Sequence, residues 1–160
     1  MYNNFLFSIS KIMNLQKLNI LLADDDMDDC NFFDQALGSL SLHTQLTIVN
    51  DGEQLMTYLA QNVENLPDVL FLDLNMPRKN GLKCLREIRS IEKLKDISIA
   101  IYSTSSNEND IEETYLNGAN IYITKPNDFN MLKQLLYKAV AVTHLYQGNS
   151  LKKQNFFLKI

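Results

Sequence analysis

A chain of 160 residues, 46% of them apolar, can form one hydrophobic core and leaves little room for a second domain. Its formal net charge of −4 excludes a broad basic surface, so no nucleic-acid partner is expected. No apolar run approaches the roughly 20 residues of a membrane span, and no basic secretory leader begins the chain. Cys30 and Cys84 lack metal or redox spacing and are expected to be buried packing residues. We therefore expect a cytoplasmic protein with no membrane partner.

Five short apolar runs are typical of strands that are buried on both faces of a parallel sheet. They cover residues 18–23, 46–49, 69–72, 97–102 and 121–124. Segments with the spacing of amphipathic helices alternate with them and begin near Met27, Glu53, Leu82, Glu108 and Asp128. This five-fold alternation predicts an α/β fold, with right-handed crossovers and a doubly wound sheet in the order 2-1-3-4-5.

Turn and capping residues support the same boundaries. Asp51 is placed to cap the second helix, and Asn80–Gly81 is typical of a turn before the third. Gly118 suits a left-handed cap after the fourth helix. These positions agree with the predicted order of strands and helices.

The two ends of the chain fall outside the alternating pattern. We expect an N-terminal extension over residues 1–14, one domain over 15–147 and a C-terminal tail over 148–160. The tail could pack on the domain, extend into a dimer mate or remain disordered, and exposed Phe156 and Phe157 would favour association. A homodimer is therefore a hypothesis.

Acidic residues follow the first and third strands, which are neighbours at the switch point of the predicted sheet, where ligands of such folds bind. Asp24, Asp25 and Asp26 follow the first strand, and Asp73 follows the third. Two carboxylates about 4 Å apart repel by roughly 4 kcal/mol at an effective dielectric near 20, so the cluster needs a compensating charge. Hard oxygen ligands favour Mg²⁺, and Mn²⁺ is expected to substitute in vitro. The competing interpretation of the acidic run alone is a solvated turn with helix caps.

The other strand ends add a hydroxyl and an ammonium group to the same edge of the sheet. Ser103 and Thr104 follow the fourth strand, and Lys125 follows the fifth. A metal, a cation and a hydroxyl would together surround Asp73 as the candidate nucleophile of a phosphate-binding site.

Five blocks, in matching order and spacing, resemble the receiver domain of two-component response regulators. They are ILLADDD (20–26), VNDGEQL (49–55), PDVLFLDLNMPRKNG (67–81), IYSTSS (101–106) and GANIYITKP (118–126). The resemblance extends over nearly all of residues 18–146. It implies a five-stranded flavodoxin-like fold and a phosphoacceptor switch that catalyses only its own phosphorylation and dephosphorylation.

The resemblance implies a role for each matching side chain. Asp73 matches the phosphoacceptor and Lys125 the active-site lysine. Ser103 matches the switch hydroxyl, because it lies 22 residues before Lys125, although its neighbour Thr104 offers the same group. Tyr122 matches the switch aromatic residue.

The resemblance also implies the metal ligands. Asp25, Asp73 and the backbone carbonyl of Asn75 would bind Mg²⁺ directly, and Asp24 would act through water. The peptide bond between Lys125 and Pro126 is expected to be cis, by the same resemblance.

The implied phosphoryl donor is a sensor histidine kinase or a histidine phosphotransfer protein, and the output is a downstream target protein or a dimer. The principal alternative is a pseudo-receiver adaptor that works without phosphorylation. A phosphatase of the haloacid dehalogenase type is disfavoured because it would need a second Asp where Asn75 stands. A flavin-binding protein of the same fold is disfavoured because the acidic run after the first strand would repel the flavin phosphate. An EF-hand is excluded because Asp29 and Gln35 stand where that loop needs Gly and Glu.

Overall fold

The computed structural model describes residues 17–145 and 156–158. Strands and helices alternate through this part of the chain. The strands are β1 (Leu18–Ala23), β2 (Thr44–Val49), β3 (Val69–Leu72), β4 (Ser98–Ser103), β5 (Ile121–Thr124) and β6 (Phe157–Leu158). The helices are α1 (Met27–Gly38), α2 (Gly52–Gln61), α3 (Gly81–Ser90), α4 (Glu108–Leu116) and α5 (Phe129–Leu145).

The described strands form one parallel sheet in the order β2-β1-β3-β4-β5-β6. The predicted order 2-1-3-4-5 is therefore confirmed. The additional strand, β6, comes from the tail and pairs with the outer edge of β5, with Tyr122 beside Phe157 and Ile123 beside Leu158. A two-residue strand is too short to carry a recognisable sequence pattern, so the sequence did not predict it.

Both faces of the sheet are covered, which explains why its strands are almost continuously apolar. Along β1, Ile20 and Leu22 join a core formed with α1 and α5. The alternate residues, Leu21 and Ala23, join a second core that includes buried side chains of α2 and α3. The sheet is thus fixed between two layers, and its strand ends have defined positions.

Capping side chains begin the helices close to the site. Asp26 caps α1 by accepting hydrogen bonds from the backbone amides of Asp28 and Asp29, at 2.9 and 3.1 Å. Asp51 caps α2, as predicted, and accepts a hydrogen bond of 2.8 Å from the backbone amide of Gln54. Both loops are therefore held where the chain leaves β1 and β2.

Glycine is required at two positions, for a different structural reason at each. Gly118 has a φ of 88°, as expected of a left-handed cap after α4. A Cβ atom on Gly81 would lie 2.1 Å from the carbonyl oxygen of Asp73. Glycine thus permits the first turn of α3 to pack against the backbone that carries Asp73.

The predicted packing role of the cysteines is confirmed. Cys30 and Cys84 are both buried and form no disulfide. Burial raises the pKa of each thiol to about 11, so both are neutral packing groups at physiological pH. Within the described residues, no helix is both long and apolar enough to cross a membrane.

Candidate functional site

Three carboxylates meet at the carboxyl ends of β1 and β3. One oxygen from each of Asp24, Asp25 and Asp73 lies within 4.8 Å of the other two. Asp24 is fully buried, Asp73 is nearly so, and Asp25 is exposed. The backbone supports this juxtaposition, because the amide of Asp73 donates to the carbonyl of Ala23 at 2.9 Å.

Burial sets the electrostatics of the two inner carboxyl groups. It raises the pKa of Asp24 above the ordinary value, although hydrogen bonds from Lys125 and from the backbone amide of Asp26 oppose the shift. It also raises the pKa of Asp73, where the nearby Lys125 lowers it and the charge of Asp24 raises it. The metal-free cluster is therefore short of positive charge.

The donor set fits a hard divalent cation. Every candidate side-chain ligand is a carboxylate oxygen, and the exposed Asp25 leaves one side of the cluster open to water. Mg²⁺ prefers one or two carboxylates and retains several waters, so the arrangement suits this ion.

Lys125 extends from the end of β5 into the acidic cluster and is almost completely buried. Its Nζ atom donates to Asp24 at 2.7 Å and to Asp29 at 2.8 Å, and it lies 3.6 Å from Asp73. It also lies 5.2 Å from the centroid of the Tyr102 ring. Burial alone would lower the pKa of the ammonium group, but the hydrogen bonds to Asp24 and Asp29 raise it above the ordinary value.

Asp29 was not among the predicted site residues. It lies on α1, and its contact with Lys125 spans 96 residues of sequence. Its only signal in the sequence was its place on the first turn of a helix that begins beside the acidic run.

Ser103 and Thr104, the two candidates for the switch hydroxyl, differ in burial. Ser103 is fully buried at the end of β4, and its Oγ atom accepts a hydrogen bond of 3.2 Å from the backbone amide of Ser105. Thr104 is exposed. The structure therefore places Ser103, rather than Thr104, on the inner side of the strand end.

Tyr122 is fully buried, so the ring is turned into the protein in this structure. Its hydroxyl donates to the carbonyl oxygen of Ser105 at 2.9 Å, and its ring centroid lies 6.3 Å from that of Phe156. Tyr122 thus connects the loop after β4 with the tail.

Of the arrangements open for the tail, the structure shows packing on the domain at Phe156. Its side chain is buried, with its ring 5.2 Å from that of Tyr115. The sheet edge and the two tyrosines offer more apolar contact than solvent does. The side chain of Phe157 and the predicted N-terminal extension lie outside the described residues.

The backbone at the other two predicted positions is also defined. The amide of Asn75 approaches Asp73 Oδ1 at 3.5 Å, which keeps the loop after β3 against the carboxylate. The described part of the chain contains no cis peptide bond, so the expected cis bond between Lys125 and Pro126 is wrong. A trans bond is the state that an X–Pro bond intrinsically prefers, by about 0.5–1 kcal/mol.

An ion pair connects the loops after β2 and β3, and the sequence did not predict it. Arg78 has a φ of 63°, and its Nε and Nη2 atoms lie 2.9 and 2.8 Å from Asp51 Oδ2. The hydrogen bond from Gln54 and the contact with Arg78 lower the pKa of Asp51. The loop that carries Asp73 and Asn75 is thereby tied to the start of α2.

Comparison with known proteins decides the family. The family model described as the response regulator receiver domain matches residues 20–137 of the chain. The chain belongs to this family. Among curated relatives, response regulator Rcp1 of Synechocystis is 32% identical over 121 residues, which cover 73% of this receiver and 82% of Rcp1.

Solved structures agree with that assignment. The Mn²⁺-bound form of Rcp1 has a TM-score of 0.68 at 32% identity and covers 74% of this receiver and 91% of its own chain. The phosphorylated cyanobacterial phytochrome response regulator RcpA has a TM-score of 0.70 at 33% identity, with coverages of 86% and 98%. A CheX–CheY–BeF₃–Mg²⁺ complex from Borrelia burgdorferi has a TM-score of 0.66 at 25% identity, with coverages of 78% and 88%. This receiver is therefore a two-component response regulator with the flavodoxin-like fold, and the phosphatase and flavin interpretations are not supported.

Proposed function

We propose that this receiver accepts a phosphoryl group on Asp73 and signals through the resulting change in its surface. The observation that carries the proposal is the position of Asp73 between an acidic pair and a buried ammonium group. Its carboxylate belongs to the cluster with Asp24 and Asp25, and its Oδ2 atom lies 3.6 Å from Lys125 Nζ. Phosphoryl transfer depends mainly on such positioning and charge compensation.

In the proposed reaction an Asp73 oxygen forms a bond with the phosphorus atom as the bond from phosphorus to a donor histidine nitrogen breaks. Both the carboxylate and the phosphoryl group are anionic, so their approach needs a nearby positive charge. Lys125 supplies one such charge, and its burial strengthens the interaction because little water screens it. The Ser103 hydroxyl would donate to a phosphoryl oxygen and so register the modified state.

We propose Mg²⁺ as the metal of the site. Asp25, Asp73 and the backbone carbonyl of Asn75 would hold it, and Asp24 would act through a water molecule. When bound, the ion would neutralise charge on the transferred group. The Mn²⁺-bound structure of Rcp1 and the Mg²⁺-containing CheX–CheY complex support the proposal of a divalent ion in this receiver.

The proposed donor is a sensor histidine kinase or a histidine phosphotransfer protein, and the proposed output is contact with a downstream target protein. The phosphorylated structure of RcpA supports the first step, and the CheX–CheY complex gives an example of a receiver bound to another protein. On this proposal the receiver is a switch that catalyses only its own phosphorylation and dephosphorylation.

Intact-protein mass spectrometry tests the proposal directly. Treatment with acetyl phosphate or phosphoramidate and Mg²⁺ should add about 80 Da to the wild-type protein, the mass of one phosphoryl group. Asp73→Asn should abolish the adduct. Asp34→Asn, which removes the same charge from an exposed position on α1, should retain it. An adduct that persists in Asp73→Asn would assign the phosphoacceptor elsewhere, and no adduct on the wild type would favour an adaptor that is not phosphorylated.

A further inference from the structure

The ammonium group of Lys125 is shared among three carboxylates rather than directed at Asp73. Two of its donors are engaged by Asp24 and Asp29, at 2.7 and 2.8 Å. The distance to Asp73 Oδ2 is 3.6 Å, which is an ion pair but too long for a well-formed hydrogen bond. The ammonium is therefore held closer to α1 than to the proposed phosphoacceptor.

Asp29 is placed for this contact by its own helix. Its backbone amide donates to the capping carboxylate of Asp26 at 3.1 Å, which fixes the first turn of α1 beside the strand ends. Its side chain is 37% exposed, whereas that of Lys125 is 7% exposed. Asp29 therefore keeps contact with water, which can take the place of the ammonium as its hydrogen-bond partner.

Asp24 and Asp29 are not equivalent partners of Lys125. Asp24 belongs to the cluster of candidate metal ligands, together with Asp25 and Asp73. Asp29 is outside that cluster, so a cation bound there would leave its hold on the ammonium intact. It is the carboxylate with which a phosphoryl group on Asp73 would compete for Lys125.

We propose that Asp29 is a positioning residue that holds Lys125 in the unphosphorylated receiver and competes with the phosphoryl group for its ammonium. The inference rests on the proposed function of Asp73 and adds a determinant of how strongly the phosphorylated state is favoured. Charge-assisted hydrogen bonds to buried ammonium groups are among the stronger polar contacts in proteins, so their exchange affects the equilibrium between the two states.

Binding of beryllofluoride with MgCl₂, measured by isothermal titration calorimetry, tests this competition without transfer of a phosphoryl group. Asp29→Asn should bind the probe about threefold or more tightly than Asp28→Asn, as expected when a partly exposed ion-pair partner is removed. Asp28 is the matched control because it lies in the same helical turn, carries the same charge and is exposed. Asp29→Glu, which restores the carboxylate, should bind more weakly than Asp29→Asn.

If Asp29 only stabilised the structure, its loss would weaken the binding of beryllofluoride. If it competes for Lys125, its loss should strengthen that binding, so the sign of the change in affinity distinguishes the two roles. Equal or weaker binding by Asp29→Asn than by Asp28→Asn would overturn the inference. Asp29→Ser provides a second variant if the amide disturbs the helix start, and the same increase in affinity is expected. Absence of binding by the wild-type receiver would instead count against the proposed function of the whole site.

Discussion

Mg²⁺ should raise the melting temperature of the metal-free receiver, because it would neutralise the cluster of Asp24, Asp25 and Asp73. Oxygens that lie within 4.8 Å of one another repel by about 3.5 kcal/mol per pair at an effective dielectric near 20. Lys125 offsets part of this repulsion. A ligand present at about 100 times its dissociation constant stabilises the folded state by about 2.7 kcal/mol. For a domain of about 150 residues, that corresponds to roughly 5–10 °C.

Differential scanning calorimetry at neutral pH would measure this shift with MgCl₂ and with NaCl at the same ionic strength. Asp25→Asn should lose most of the Mg²⁺ effect, because it removes an exposed candidate ligand without burying a new group. Asp28→Asn, with the same change of charge, should keep it. If NaCl raised the melting temperature as much as MgCl₂ does, or if MgCl₂ raised that of Asp25→Asn as much as that of the wild type, the assignment of the metal to this cluster would be refuted.

The stabilisation of the folded receiver by Mg²⁺ should depend on pH. Burial raises the pKa of Asp24 and Asp73 above the ordinary value of 3.8. A carboxyl group with a higher pKa in the folded state binds its proton more tightly there, so its contribution to stability falls as pH rises from about 3.8 through the folded pKa. Mg²⁺ must replace those protons. Its stabilising effect should therefore be largest at neutral pH and small near pH 4, and an equal shift at both pH values would contradict this linkage.

Two further substitutions test the packing around the site. Phe156→Ala removes a buried ring worth about 2–4 kcal/mol before the entropy of ordering the tail is subtracted, so hydrogen exchange over residues 121–124, measured by mass spectrometry, should become faster. Unchanged exchange there would show that the tail does not protect β5. Gly81→Ala would place a Cβ atom 2.1 Å from the Asp73 carbonyl oxygen, so both the melting temperature and the yield of phosphoryl adduct should fall. Gly38→Ala, where the added atom meets nothing within 4 Å, is the control, and a normal adduct in Gly81→Ala would show that the loop can move without loss of function.

The central strands could be predicted because burial on both faces makes them continuously apolar. The edge strand was less clear: β2 begins at Thr44, two residues before the predicted apolar run, because its first positions are partly exposed and tolerate polar residues. The carboxyl ends of β1 and β3 could be placed together from the strand order alone. Ligands of doubly wound sheets bind where the strand order reverses, and this rule alone predicts the acidic cluster at that edge of the sheet.

Contacts between distant parts of the chain could not be predicted in the same way. The pattern around Lys125 predicted its strand and its place at the end of that strand, but the choice of Asp29 as a partner depends on where the first turn of α1 lies relative to the end of β5. The same limit applies to β6, whose place depends on the contacts of Phe156 with Tyr115 and Tyr122 rather than on strand propensity. Single residues that define a site through tertiary packing leave little periodic signal in a sequence.

Tyr122 connects the proposed switch with the tail through two different kinds of contact. Its hydroxyl donates to the carbonyl of Ser105, and the amide of Ser105 donates to Ser103 Oγ. Its ring contacts Phe156, which packs beside the outer edge of β5. Movement of the Ser103 hydroxyl toward a phosphoryl group would therefore disturb the loop that holds the tyrosine hydroxyl. Rotation of the ring would then remove packing from Phe156, so on this proposal the position of the tail would depend on the same side chain that would respond to phosphorylation.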